Sequence, residues 1–80
     1  MMQWRLKELI GRYESDKPGE NLSYRYISSE TGVSVAAIHR IATNKATRAD
    51  LDTIDTLLTY LERKLGEKLE LTDLLQRVRP

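Results

Sequence analysis

The chain predicts an all-α fold: a compact set of five short helices with a helix-turn-helix at its centre. Three observations predict it. Apolar residues recur at helical spacing in residues 6–13 and again in residues 51–65. Serine or aspartate stands where helices would begin, and glycine or asparagine where they would end. Residues 23–48, SYRYISSETGVSVAAIHRIATNKATR, read as two short helices joined by a tight turn at Gly32 and followed by a basic loop.

Helix 1 is expected over about residues 3–14. Leu6, Leu9, Ile10 and Tyr13 fall at i, i+3, i+4 and i+7, one apolar face. Residues 15–21 form a polar turn pivoting on Pro18-Gly19. Ser23 caps helix 2, about residues 24–31, with Ile27 inward and Tyr24 or Tyr26 beside it. Gly32 supplies the left-handed backbone that leaves this helix, and Val33 plugs the turn. Ser34 caps helix 3, about residues 35–43, with Ala37, Ile38 and Ile41 facing the core. Asn44 tolerates the left-handed conformation that ends it. Asp50 caps helix 4, about residues 51–65, whose stripe is Leu51, Ile54, Leu57 or Leu58, Leu61 and Leu65. Asp52 and Asp55 at its start and Arg63 and Lys64 at its end suit the helix dipole, and Gly66 stops it. Thr72 is the expected cap of a short helix 5, residues 73–78, with Leu74, Leu75 and Val78 closing the core. Leu69 and Leu71 alternate with charges, so a short extended stretch there is the alternative.

Eighty residues bound the molecule to one small domain, residues 1–80, with the helix-turn-helix core at residues 23–44. Apolar residues make 40% and charged residues 31%, the balance of a soluble globular protein. The lack of cysteine excludes disulfides and thiolate chemistry. No apolar run approaches the roughly 20 residues that cross a bilayer, so no membrane role and a cytoplasmic location are expected. The net charge is only +1, but it is unevenly placed. Residues 24–48 carry Arg25, Arg40, Lys45 and Arg48 against Glu30 alone, whereas residues 49–80 hold five bases and seven acids. Such a local positive patch attracts phosphate even when the whole-chain sum is small.

Two pieces, ISSETGVSVAAIHRIATNK and LDTIDTLLTYLERKLGEKLELTDLL, resemble the Xre/Cro/C1 family of helix-turn-helix domains, the lambda-repressor-like fold. The likeness extends over about residues 6–78. It implies a five-helix domain that binds double-stranded operator DNA, often as a homodimer, and usually represses transcription. By that resemblance Tyr24, beside the cap Ser23, meets a backbone phosphate. Ser34, Val35 and Ala36 are presented to the major groove, and His39 and Arg40 are base-facing one turn later. Asn44, Lys45, Thr47 and Arg48 belong to the loop that grips the backbone. The chain departs from the family at Val35 and Ala36, where glutamine, serine or threonine is common. These apolar residues can touch thymine methyl groups but cannot hydrogen-bond adenine. Base selectivity therefore rests on Arg40 and His39.

Each feature has a plainer reading. Arg40 could pair with Glu30. His39, the single histidine, could be an ordinary surface residue. Tyr13, Tyr24 and Tyr26 could stack on single-stranded bases, although tyrosines at helical spacing are more often core edges. Trp4 is either an interface anchor or a cover for the core, and Leu69, Leu71 and Tyr60 offer a second dimer surface. No catalytic, cofactor or metal site is expected, because one histidine and no cysteine leave nothing to assemble one. The rival expectation is an antitoxin-like or adaptor module that uses the same fold to hold a protein partner such as a toxin.

Overall fold

The computed structural model describes residues 1–79. The order is β1 (Met2–Trp4), α1 (Leu6–Asp16), α2 (Tyr24–Thr31), α3 (Val35–Ala42), α4 (Leu51–Leu65), α5 (Leu71–Leu74) and β2 (Leu75–Arg77). Five helices dominate, as the periodicity predicts, and a two-stranded antiparallel ribbon joins the ends of the chain.

The helix ends follow local chemistry. Ser23 Oγ accepts from Tyr26 N–H and Ser34 Oγ from Ala37 N–H, each at 3.1 Å. These bonds satisfy donors that the first turns of α2 and α3 leave open. The residues before the two caps repeat a second device. Leu22 is buried with Ile27, and half-buried Val33 packs on the core with Ile38, the spacing of a hydrophobic staple. Leu22 carries no periodic signal; its N–H donates to Glu14 Oε2 at 3.1 Å, which ties the polar turn to α1. Gly32 and Gly66 end α2 and α4 at φ of +81° and +70°. Asn44 takes φ +61° just past α3, as expected of it.

The core joins every element. Leu6, Ile27, Ile38, Leu57, Leu61 and Leu74 are sealed from solvent, with Leu9, Ile10, Tyr13, Ile41 and Tyr60 around them. Truncating one such leucine typically costs about 2–5 kcal/mol, more than any single cap. The helix 4 stripe resolves to Leu57, with Leu58 only half-buried. Leu51 departs from that stripe and is 82% exposed, because the first turn of α4 runs beyond the packed interior.

The chain ends differ most from expectation. Residues 3–4 are strand, not helix, and α1 starts at Leu6. Residues 75–77 are likewise strand, so the helix expected over 73–78 stops at Leu74. The cause is pairing between the two ends. Met1 and Val78 exchange backbone bonds of 2.9 and 2.7 Å, and Arg5 N–H donates to the Leu74 carbonyl at 2.6 Å. Thr72 lies inside α5, whose cap is Glu70, with Glu70 N–H donating to Asp73 Oδ2 at 2.7 Å. Val78 is exposed rather than closing the core. The extended stretch weighed near Leu69 and Leu71 forms at β2 instead.

Lys64 lies where α1, α2 and α4 meet. Its Nζ stands 6.0, 5.3 and 5.7 Å from the rings of Tyr13, Tyr26 and Tyr60, and 4.0 Å from Glu30. The neighbouring Tyr60 hydroxyl is buried without a hydrogen-bond partner. Burial, reinforced by the Glu30 carboxylate, pushes it up to about 12. Because the folded chain holds this proton more tightly than the unfolded chain, stability is full below about pH 10 and falls as pH rises towards 12. Tyr60→Phe is therefore expected to remove that alkaline loss. At neutral pH it should raise stability by about 1 kcal/mol, the desolvation cost of an unpaired hydroxyl; urea titrations at pH 7 and pH 11 check both.

Candidate nucleic-acid interface

The turn between α2 and α3 is built by four residues. Gly32 N–H donates to the Ser28 carbonyl at 2.8 Å and closes α2. Thr31 Oγ1 donates to the Ile27 carbonyl at 2.7 Å and accepts from Val33 N–H at 3.2 Å. Ser34 then opens α3. Thr31 is a residue the sequence reading missed. Its signal was a β-branched hydroxyl immediately before the turn glycine, which can satisfy the backbone on both sides.

This turn sets α3 against the core by one side. Ile38, Ile41 and Ala42 are buried, and Ala37 is half-buried. Ser34, Val35, Ala36, His39 and Arg40 are exposed on the other side, with Val35 at 41%. The ring of half-buried Tyr24, at the start of α2, meets His39 edge to face, with centroids 5.8 Å apart and planes at 74°. Ser23 is exposed next to it, its hydroxyl engaged as the cap.

Past α3 the chain folds back over the last turn. Thr43 Oγ1 donates to the His39 carbonyl at 2.8 Å. The Arg40 carbonyl accepts from Lys45 N–H at 2.8 Å and Ala46 N–H at 3.1 Å. Lys45, Thr47 and Arg48 are exposed on this loop. Asn44 is exposed too, but its Oδ1 accepts from Trp4 N–H at 2.6 Å, and Trp4 Nε1 donates to the Ala46 carbonyl at 2.9 Å. Arg40 and Arg48 line one hollow of about 260 Å³ together with Ala37, Ile41 and Asp50.

Charge pairing sharpens this picture. The ion pairs among the described residues are Arg5–Glu8, Arg12–Glu67 and Lys64–Glu30. Arg40, Lys45 and Arg48 are in none of them, and Glu30, the acid weighed as an Arg40 partner, is held by Lys64. The structure thus leaves the sequence-predicted residues of α3 and its loop exposed, with Tyr24 against His39 and Arg40 beside Arg48. The other surfaces weighed from sequence do not survive. Trp4, Tyr60 and Leu69 are buried, so neither the tryptophan anchor nor the Tyr60–Leu69–Leu71 face is available. Tyr13 is core, which dismantles the stacking platform. Asp52 lies in the first turn of α4, but Asp55 lies a turn later. Among the described residues no three His, Cys, Asp or Glu side chains gather in a metal-binding group.

A family model for the Cro/C1-type HTH DNA-binding domain matches residues 20–74. The chain belongs to that family. The matched span holds α2 to α5, while β1, α1 and β2 lie outside it or at its edge. In this Cro/C1-type domain, then, the part that matches the DNA-binding family is also the part that bares one side of α3 and carries the exposed Arg40, Lys45 and Arg48. No curated protein and no solved structure matches the chain at a significant level. No helix among the described residues is long and apolar enough to cross a membrane.

The turn geometry separates two threonines. Thr31→Val removes both the donor to Ile27 and the acceptor for the half-buried Val33 N–H, and should cost about 1–2 kcal/mol. Thr43→Val acts on an exposed helix end, where water replaces the bond, and should cost under about 0.5 kcal/mol. Denaturant midpoints of the two variants give the comparison.

Proposed function

We propose that residues 1–80 act as a single domain that binds duplex DNA sequence-selectively and regulates transcription, as a repressor that occludes its operator. The observation that carries this reading is the outer side of α3, uncovered by the protein and bordered by Arg40, Lys45 and Arg48, which stand in no ion pair. An α-helix of this width fits the B-DNA major groove.

In this arrangement α3 enters the groove. Val35 and Ala36 at its start lie against thymine methyl groups, with Ser34 beside them. Arg40 reads guanine through two parallel donors, and His39, braced by Tyr24, reads an adjacent edge. The first amides of α2, near Ser23 and Tyr24, meet a phosphate. Lys45, Thr47 and Arg48 grip the backbone on the far side, in the loop that Asn44 opens. Phosphate contacts position the helix and supply most of the affinity, while base contacts select. So few cations make one copy a weak binder, so we infer a homodimer whose two α3 helices meet half-sites about 34 Å apart. We read the chain as a cytoplasmic, non-enzymatic regulator that needs no cofactor.

A second reading rests on exposed Val35 and the net charge of +1: the same face serves as an antitoxin-like or adaptor surface for a protein partner such as a toxin. Duplex titration separates the two. With two or three phosphate-facing cations per copy, log affinity should fall with log salt at a slope of roughly −2 to −3 per copy. An absence of duplex binding at low salt would support the protein-partner reading. On an operator selected from a random pool, Arg40→Ala should lose about 1–3 kcal/mol and relax the preference at one position. Lys45→Ala should weaken all sequences alike and flatten the salt slope by about 1.

A further inference from the structure

The loop that carries Lys45, Thr47 and Arg48 is fastened at two places. One is the Arg40 carbonyl, which holds the Lys45 and Ala46 amides. The other is β1, forty residues away in sequence. Met1 and Arg5, which flank β1, bond to Val78 and Leu74, and the alternation of an antiparallel ladder then points the Trp4 N–H away from the ribbon, along its open edge. Asn44 Oδ1 caps that edge donor at 2.6 Å. The same Trp4 sends its indole N–H to the Ala46 carbonyl at 2.9 Å. The two bonds straddle Lys45. The indole is only 8% exposed and packed in the core, so its donor is fixed in direction.

We propose that Trp4 and Asn44 are positioning residues for DNA binding: β1 sets where Lys45 and Arg48 stand, and neither Trp4 nor the Asn44 side-chain oxygen touches the nucleic acid. The proposal rests on the DNA reading above and adds to it Trp4, a residue outside the family-matched span. Its logic is preorganisation. A loop held in its bound shape does not have to be ordered at the moment of binding, so its cations act at full strength. Asn44 suits both halves of the task. It adopts the left-handed backbone at φ +61°, and it reaches back with an acceptor that glycine lacks.

The test combines duplex binding with amide exchange in the free chain. Trp4→Phe keeps an aromatic ring in the core and removes the bond to Ala46. Asn44→Gly keeps the left-handed backbone and removes the acceptor. Each should lower affinity for a selected duplex by about three- to tenfold, the usual size of a coupling between neighbouring groups. Each should also speed exchange of the loop amides at residues 45 and 46 while the amides of Leu57 and Leu61 stay protected. The deciding readout is a double-mutant cycle. Added to Arg48→Gln, either change should cost less than about twofold more, because a misplaced loop has already lost that contact; added to His39→Ala, it should cost its full factor. Full multiplication with Arg48→Gln, or unaltered exchange at residues 45 and 46, overturns the proposal. If Trp4→Phe does not fold, Asn44→Gly, which leaves the core intact, carries the same cycle. If the unaltered chain shows no duplex binding at low salt, the DNA reading falls and takes the binding role with it. The exchange arm then reports separately on whether Trp4 holds the loop.

Discussion

An eight-residue helix is not stable alone in water, because the cost of nucleation exceeds what so few turns return. α3 exists because Ile38, Ile41 and Ala42 bury in the core, where α3 packs against α1 and α2. That burial draws on only one side of the cylinder, and the rest of the molecule is arranged around this one-sidedness. The staples at Leu22 and Val33, the caps at Ser23 and Ser34 and the left-handed Gly32 all fix the angle at which α3 meets the core. A small rotation of α3 would bury His39 or Arg40 and expose an isoleucine. Either change is costly, so the outward face is determined by what lies inward.

The charges obey a similar division. Arg5, Arg12 and Lys64 are engaged with Glu8, Glu67 and Glu30 on other parts of the surface. Exposed ion pairs of this kind add little stability. On the helix-turn-helix side Arg25, Arg40, Lys45 and Arg48 stand in none of these pairs. A chain with a net charge of +1 can still hold a local excess of cations, here over residues 24–48.

How far the sequence speaks depends on how local the cause is. Ser23, Ser34, Gly32 and Gly66 act on residues within four positions of themselves and stand in the roles their chemistry suggests, as does the left-handed backbone of Asn44. The inner stripes of α1 and α3 are equally legible, since 3.6-residue periodicity is a local property. The ribbon is not. Met2 pairs with Arg77 and Trp4 with Leu75, and nothing in MMQW or LLQR alone distinguishes a frayed helix end from a strand. The same distance hides Trp4, whose two partners are forty and more residues away. Leu51 fails for the opposite reason. It fits the stripe of its own helix, but the neighbours that would cover it do not extend that far. Of the candidate site, the side chains lying along α3 and its loop were readable, whereas the braces behind them, Tyr24 against His39 and Trp4 against Ala46, came only with the fold.

The lysine among the three tyrosines has a consequence for how this molecule responds to its medium. The ammonium of Lys64 sits among three rings on a side chain only 26% exposed, whereas Arg48 stands exposed, so salt screens the first less than the second. Rising ionic strength therefore weakens outward attraction long before it loosens this inward clasp. The domain can let go of a polyanion and keep its shape, ready to bind again when the counterions thin out.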